Sequence, residues 1–369
     1  MTGLRALVFG GGGIGGTLTA KLCNAGHDVT VVTRNPEISE HIKANGLKAN
    51  YDGAEHVTRP EAAATVEQLD PDARFDVAII AVPPSSAEKA ATDALGFLRD
   101  DGQIVCCPNG LIEERLAKTI DPSRIIGGVV SFGASMLGPG HVEQTSTSAD
   151  GGLTLGRLPG ARDTALFEDV VAAFEEVLPT HRTDNLRGVR WSKLALNCAV
   201  SSLGALGGDT LGELISYRIV RRLALEIITE VVDVARAEGV ELVKVSGTLD
   251  LNMVTLGRIE RRRQIGAGTL VAKHALLLAV GQKYKNMRSS MLRAIERGRK
   301  PPVDFLNGEI TTRALVHGID VPVNQSFVNV IREIGDGARA PGFENIEDIY
   351  RQTCEVRGWP IEFIQRAVS

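Results

Sequence analysis

Three polar side chains recur every fourth residue in one apolar segment of the chain. Lys193, Asn197 and Ser201 lie within a helical pattern over residues 187–206, and their spacing places all three on one face of the helix. A core helix would have apolar residues there, and a buried lysine is costly unless its ammonium reaches a partner or a ligand. The stripe is therefore a candidate ligand-binding face. The alternative is a lysine whose stem covers apolar surface while its ammonium stays in water.

A glycine-rich turn lies between a strand-like segment, residues 4–9, and a predicted helix over residues 17–24. In Gly10-x-Gly12-x-x-Gly15 the first glycine permits a tight turn, the second admits a pyrophosphate against bare backbone, and the third lets helix and strand pack closely. The helix N-terminus then receives the phosphates. An ordinary tight turn is the alternative. The predicted dinucleotide-binding residues here are Gly10, Gly11, Gly12, Gly13, Ile14 and Gly15.

The residues that follow the second predicted strand, residues 28–32, indicate which dinucleotide binds. A site for NAD(H) usually has Asp or Glu at this point to bind the ribose 2′-hydroxyl, whereas this chain has Thr33-Arg34-Asn35. The guanidinium of Arg34 suits a 2′-phosphate. The sequence therefore predicts NADP(H) as the cofactor, unless Arg34 is only a solvent-exposed loop charge.

Asn109 follows another predicted strand, residues 103–107. If the sheet is parallel, Asn109 lies at the carboxyl edge, where ligands of open α/β folds bind, although Asn-Gly is also a favoured turn dipeptide. Taken alone, residues 289–292 and 301–308 indicate only a helix start and a proline-terminated loop.

In order along the chain, these segments resemble the ketopantoate reductase family (2-dehydropantoate 2-reductases). The resemblance spans nearly the whole chain. It implies that Lys193 is the general acid and that Asn109 and Asn197 hold cofactor and substrate. It also implies that Ser290 binds the substrate carboxylate or neighbouring oxygens. The resemblance depends on the glycine turn, Arg34, Pro108-Asn109-Gly110-Leu111, Trp191-x-Lys193-Leu194-x-x-Asn197, Ser289-Ser290-Met291, Asp304-x-x-Asn307-Gly308 and Gly318-Ile319-x-Val321-Pro322-x-Asn324.

The chain departs from the family pattern mainly at the substrate end. Family members usually carry a lysine where this chain has Pro83-Pro84, an acid where it has Pro302, and a second asparagine where it has Ser201. Proline has neither a charge nor a backbone donor, so it cannot replace the acid that normally helps bind the substrate hydroxyl. Asp304 is the nearest carboxylate, and with Ser201 it completes the expected substrate-binding set.

The chain is also longer than the family pattern over residues 239–287. A row of cations in this stretch could face an anionic substrate, although a solvated helix face is the commoner explanation. These residues are Arg258, Arg261, Arg262, Arg263, Lys273, His274, Lys283 and Lys285.

Strand and helix signals alternate in the first half of the chain, and helical periodicity dominates after about residue 184. Further predicted elements are a buried strand over 76–82, helices over 85–98 and 211–238, and a break at 318–322. Strands within residues 127–160 are expected to extend the sheet in antiparallel fashion. We therefore predict an α/β fold with a Rossmann-type NADP(H)-binding domain, residues 1–183, and an all-helical substrate and dimerisation domain, residues 184–369.

Composition excludes several classes of partner. A net charge of −4 with both signs dispersed gives no electrostatic footprint for nucleic acid, and no segment is typical of a membrane span or a targeting peptide. Five cysteines without CxxC spacing indicate reduced, mostly buried thiols, a cytoplasmic location and no structural metal.

The sequence thus predicts an NADPH-dependent reductase of a 2-oxo acid or a related carbonyl compound. Burial and the cofactor cation are expected to lower the pKa of Lys193 and so favour proton transfer. Three alternatives stay open: a relative that acts on an imine or a larger hydroxy acid, a non-catalytic NADP(H) sensor, and an interaction scaffold.

Overall fold

The structure, a computed structural model, describes residues 3–146, 151–162, 164–244, 250–263 and 268–360. The chain forms two compact units that divide between Leu186 and Arg187, beside the domain boundary predicted at residues 183 and 184. Within the described ranges, no helix is long and apolar enough to cross a membrane. All five cysteines lie in the described ranges and none of them forms a disulfide; Cys23 alone among them is partly exposed.

The first unit contains two sheets and the helices that connect their strands. Its strands are β1 (Arg5–Phe9), β2 (Asp28–Val32), β3 (Leu47–Tyr51), β4 (Ala54–Thr58), β5 (Glu61–Ala63), β6 (Phe75–Ile80), β7 (Leu98–Cys106), β8 (Ile125–Val130), β9 (Ala134–Gly138), β10 (His141–Gln144), β11 (Leu153–Arg157) and β12 (Thr180–Thr183). Its helices are α1 (Gly13–Asn24), α2 (Pro36–Asn45), α3 (Ala87–Leu95), α4 (Ile112–Leu116) and α5 (Ala165–Glu175).

The larger sheet has the order β12-β11-β8-β7-β6-β1-β2-β5, with β1 between β2 and β6. Strands β5, β2, β1, β6, β7 and β8 pair in parallel. Their carboxyl ends are in register, because Phe9 pairs with both Val32 and Ile80, and Ile80 pairs with Cys106. The loops after β1, β2, β6 and β7 therefore lie along one edge of the sheet.

The prediction of an antiparallel extension is confirmed for β11, which pairs antiparallel with β8. It is wrong for β9 and β10, which belong to a separate sheet of order β4-β3-β10-β9. This small sheet packs against α1 across glycines. A Cβ on Gly16 would lie 2.7 Å from Val142 Cγ1, so the bare backbone allows the close approach.

The second unit is helical throughout its described part. Its helices are α6 (Leu186–Gly207), α7 (Leu211–Ser216), α8 (Arg218–Ala237), α9 (Arg258–Arg262), α10 (Gly268–Lys283), α11 (Ser290–Glu296), α12 (Asn307–His317), α13 (Pro322–Gly335) and α14 (Phe343–Arg357).

Several predicted boundaries differ from the structure. The helix predicted over 211–238 is broken at Tyr217, whose backbone is extended (φ −80°, ψ 134°). The side chain of Arg221 stabilises this break by donating to the carbonyl oxygens of Ile215 and Ser216 at 2.6 and 2.5 Å. Helix α1 begins earlier than predicted, within the glycine turn, and α3 ends before Leu98, which starts β7. The predicted break at 318–322 is confirmed, because Gly318 adopts φ 63° after α12 and Pro322 opens α13.

Candidate functional site

The glycines of the turn after β1 have different structural roles. Gly10 has a φ of 113°, which favours glycine, and a Cβ there would lie 2.6 Å from the carbonyl oxygen of Ala81. A Cβ on Gly15 would overlap the carbonyl oxygen of Gly10. The first and third glycines therefore permit the turn and the close packing of α1 against the strand ends.

Gly12 is the glycine beside open space. Among the residues that the structure describes, a Cβ at this position would meet no atom within 4 Å, so packing against them does not explain the glycine. Gly12 is also the N-cap of α1, it has no side chain to cap the helix, and the first turn carries no acid. The backbone N–H groups of the first turn form a partial positive charge suited to a phosphate.

The two additional glycines are explained by packing. A Cβ on Gly11 would lie 2.9 Å from Thr33 Cγ2, and one on Gly13 would lie 2.7 Å from backbone atoms of Ala134 in β9. The sequence pattern did not separate these two glycines from Gly12, because the residues that contact them come from other parts of the chain.

Arg34 lies in the loop after β2 and has an unusual backbone conformation. Its φ is 57°, in the left-handed region that non-glycine residues rarely occupy. Its backbone N–H donates to the carbonyl oxygen of Ala64 at 2.9 Å, and its Nη1 donates to Ser86 Oγ at 2.8 Å. The sequence pattern missed Ser86 because the two residues meet only in the folded sheet.

Asn109 lies just beyond β7, at the same edge of the sheet. It is half-buried, and Gly110 after it adopts φ 96°, so the Asn-Gly pair forms a turn. The structure therefore brings the loops of Gly12, Arg34 and Asn109 to one edge.

In the second unit, the polar stripe lies on the one partly accessible face of α6. From Trp191 to Leu206, the residues are buried except at the half-buried positions Lys193, Leu196, Asn197 and Val200. The spacing of these four positions is that of a single helix face. Ser201 continues the row but is only 7% exposed.

Ser289, the neighbour of Ser290, anchors the start of α11 to α6. Ser289 Oγ donates to the carbonyl oxygen of Ser201 at 3.0 Å and accepts from the backbone N–H of Leu292 at 3.1 Å, so it caps α11 and ties that helix to α6. A Cβ on Gly204 would lie 2.7 Å from Ser289. Ser290 is the exposed first residue of α11 and directly follows the serine that contacts the backbone of Ser201.

Asn307 holds α6 against α12 and α13 from within the core. Its Oδ1 accepts from Ser202 Oγ at 2.5 Å, while its Nδ2 donates to the carbonyl oxygen of Cys198 at 3.1 Å and to Asn324 Oδ1 at 2.9 Å. Both asparagines are fully buried.

The network continues from Asn324 to a buried carboxylate. Asn324 Nδ2 and its backbone N–H donate to Glu230 Oε2 at 2.8 and 2.9 Å, and the N–H of Val323 donates to Oε1. Burial is the main cause that raises the pKa of Glu230 to about 7. Two motif residues of the sequence, Asn307 and Asn324, thus position helices.

Asp304 lies outside this network. Its Oδ1 accepts from Arg332 Nε at 2.8 Å and Nη2 at 2.7 Å, and both side chains are about half exposed, 53% and 55%. Pro302 opens the 3-10 turn that contains Asp304. The carboxylate nearest to the missing acid is therefore engaged by a guanidinium.

Three members of the predicted row of cations over residues 239–287 are paired with carboxylates or buried. Arg261 pairs with Asp233, and Lys273 pairs with Glu260 at 2.6 Å. His274 is 8% exposed, and burial, followed by the charges of nearby arginines, lowers its pKa to about 3. Its ring is therefore neutral at physiological pH. The side chain of Lys283 lies outside the described part of the chain.

A parallel sheet with a glycine turn between β1 and α1 defines the first unit as a Rossmann-type nucleotide-binding fold, and a helical unit follows it. The chain belongs to the ketopantoate reductase family. Two sequence models, described as Ketopantoate reductase PanE/ApbA and Ketopantoate reductase PanE/ApbA C terminal, match residues 6–160 and 185–335.

Relatives match over nearly their whole length. A 2-dehydropantoate 2-reductase of Halobacterium salinarum is 28% identical over 333 residues, which cover 89% of this chain and 98% of the relative. One of Mesorhizobium japonicum is 29% identical over 359 residues, with coverage of 90% and 98%. At the level of the family, the chain is an oxidoreductase of the 2-dehydropantoate 2-reductase type.

Solved structures share the fold. A PanE/ApbA family ketopantoate reductase from Ralstonia eutropha JMP134 has a TM-score of 0.72 at 24% identity, covering 90% of this chain and 99% of that one. A D-mandelate dehydrogenase in complex with NADH and anilino(oxo)acetate has a TM-score of 0.77 at 20% identity, with the same coverage.

Proposed function

We propose that the chain is an NADPH-dependent reductase of a 2-oxo acid. The observation that carries this proposal is the position of Lys193 on a partly accessible face of α6, where the residues from Trp191 to Leu206 are otherwise buried, within a motif of the reductase family. A structural lysine would not need Asn197 and Ser201 on the same face, whereas a carbonyl substrate with a carboxylate needs several donors close together.

The first unit fits a nicotinamide dinucleotide. The open space at Gly12 and the uncapped N-terminus of α1 suit a pyrophosphate, while Arg34 suits a 2′-phosphate and Asn109 is proposed to hold the cofactor further along the edge. When bound, NADPH supplies a hydride to the carbonyl carbon. The same backbone at Gly12 fits NADH equally well, so the preference for NADPH rests on the loop of Arg34.

The chain's own residues bind the substrate and move the proton. The ammonium of Lys193 donates a hydrogen bond to the carbonyl oxygen and then transfers its proton there, which yields the 2-hydroxy acid. Asn197 orients the substrate, and the hydroxyl groups of Ser201 and Ser290 bind its oxygens. In the reverse direction, neutral Lys193 accepts the proton of the hydroxyl group.

A second candidate is a reductase of the same type that acts on a larger 2-oxo acid or an imine. Pro302 stands where the family has an acid, and the carboxylate of Asp304 is engaged by Arg332. The group that normally binds the substrate hydroxyl is therefore replaced, which favours a substrate that does not need it.

The test is a panel of 2-oxo acids, 2-dehydropantoate included, with consumption of NADPH and of NADH followed optically. Lys193→Ala is expected to lower kcat on the best substrate by about a hundredfold to ten-thousandfold while the Kd for NADPH stays unchanged. Lys300→Ala is the matched control, because Lys300 is 87% exposed. Wild-type turnover by Lys193→Ala would disprove the assignment, and NADPH binding without turnover on any substrate would indicate a sensor.

A further inference from the structure

Two side chains that lie 52 residues apart meet across the end of β1. Arg34 Nη1 donates to Ser86 Oγ at 2.8 Å in an exposed hydrogen bond. Arg34 follows β2, and Ser86 ends the 3-10 turn Pro84–Ser86 that follows β6. Because β2 and β6 flank β1, the pair joins the loops on either side of the glycine turn.

The backbone fixes Arg34 at this point. A non-glycine residue with a φ of 57° is strained by about 1 kcal/mol or more, and such strain is typically retained at functional sites. The loop holds the strained conformation through the hydrogen bond from Arg34 N to Ala64 O at 2.9 Å and through Thr33 Oγ1, which donates to the carbonyl oxygen of Asn35 at 2.8 Å.

Helix capping does not explain the serine at position 86. Ser86 occupies the N-cap position of α3, where a serine oxygen usually accepts a backbone N–H, yet its side chain makes no cap hydrogen bond. Its backbone N–H already donates to the carbonyl oxygen of Pro83 at 2.9 Å. The hydroxyl oxygen accepts from Arg34 instead, which leaves its own proton available to donate.

The pair combines a guanidinium and a hydroxyl donor at one exposed point. These groups suit a phosphate, which has several acceptor oxygens and a charge that the guanidinium neutralises. The turn that contains Ser86 supplies no cation of its own, because residues 81–87 include no Lys, Arg or His. Glu88, the acid in the first turn of α3, lies 3.8 Å from Arg115.

We propose that Ser86 is a specificity-determining residue, whose hydroxyl donates to the 2′-phosphate of NADP(H) beside the guanidinium of Arg34. This inference rests on the proposed function, because it concerns the cofactor of that same reductase.

The experiment compares NADP⁺ with NAD⁺, which differ only in the 2′-phosphate. Kd values for both are measured by isothermal titration calorimetry on the full chain. Ser86→Ala is expected to raise the Kd for NADP⁺ about tenfold, as for a hydrogen bond to a charged group, and to leave the Kd for NAD⁺ within about twofold. Ser86→Thr, which keeps the hydroxyl, restores the affinity. The control is Ser85→Ala, at the exposed serine of the same turn, which changes neither Kd.

The outcomes separate this inference from the proposed function. If the wild type prefers NADP⁺ and Ser86→Ala binds it as tightly, the role of Ser86 is refuted and NADPH dependence stands. If Ser86→Ala weakens NADP⁺ and NAD⁺ equally, the residue is structural and the inference also fails. If the wild type binds NAD⁺ as tightly as NADP⁺, the proposed NADPH preference fails as well.

Discussion

The edge of the sheet in the first unit and the face of α6 in the second are built in different ways. At the edge, each candidate residue follows the end of a strand, and the register of the parallel sheet places it. On α6, three residues share a face through helix geometry, but the helix is held by buried side chains from distant segments, with Asn307 and Ser289 as the main links.

Because the two regions are built differently, they tolerate different amino-acid substitutions. The edge depends on the shape of the backbone, so an added methyl group can destroy it. The α6 face depends on satisfied hydrogen bonds in the core, so the loss of one buried amide leaves several polar groups without partners. Substitutions in each region can therefore test this contrast.

The largest effect is expected within the glycine turn. Gly15→Ala places a Cβ on the carbonyl oxygen of Gly10, and we expect the free energy of unfolding to fall by more than about 4 kcal/mol. Gly12→Ala adds the same methyl group at a point where no atom of the described chain lies within 4 Å. It should cost less than about 1 kcal/mol in stability but raise the Kd for NADP⁺ by about tenfold to a hundredfold through overlap with the ligand.

Thermal unfolding followed by circular dichroism, together with calorimetric titration of NADP⁺, measures both effects. If Gly15→Ala proved as stable as Gly12→Ala, close packing at Gly15 would not be required. A Gly12→Ala variant with wild-type affinity would show that the pyrophosphate does not approach this backbone.

A smaller effect is expected at Asn307. Asn307→Ala leaves Ser202 Oγ, the carbonyl oxygen of Cys198 and Asn324 Oδ1 without this partner, and we expect a loss of about 2–4 kcal/mol in the free energy of unfolding, measured with urea. The expected kcat also falls, because the α6 face loses its support, while the Kd for NADP⁺ does not change.

The matched control is Asn329→Ala, because Asn329 is exposed on α13 and bonds only Gln325 among the contacts described for its side chain. It should change the free energy of unfolding by less than about 0.5 kcal/mol. Equal losses in the two variants would contradict the role of the buried network.

The sequence predicted the fold class and the strands around the glycine turn, because their signals are local: apolar runs, glycines and a following helix. It did not predict the packing of Gly13 against β9 or the contact of Arg34 with Ser86, since both depend on how distant segments pair. It missed the break at Tyr217 for the same reason, because apolar periodicity continues through residues 211–238 and the carbonyl groups at the break are satisfied by a folded-state contact from Arg221.

The smallest effect is expected at Asp304, and it decides how far the substrate end has diverged. Asp304→Asn removes the charge from an ion pair that is about half exposed, so it should lower the free energy of unfolding by about 0.2–1 kcal/mol. Asp336→Asn is the control, because Asp336 forms a more exposed pair with Lys300 at 3.6 Å.

If the ion pair with Arg332 is the whole role of Asp304, kcat/KM stays within about twofold of the wild type in both variants, since a surface pair adds little. A loss of about tenfold or more at Asp304 alone, which corresponds to a hydrogen bond to a charged group, would show that Asp304 leaves Arg332 to bind substrate. The acid that the family has at the position of Pro302 would then stand two residues further along this chain. The substrate end would differ from the family pattern in the position of its acid and not in its chemistry.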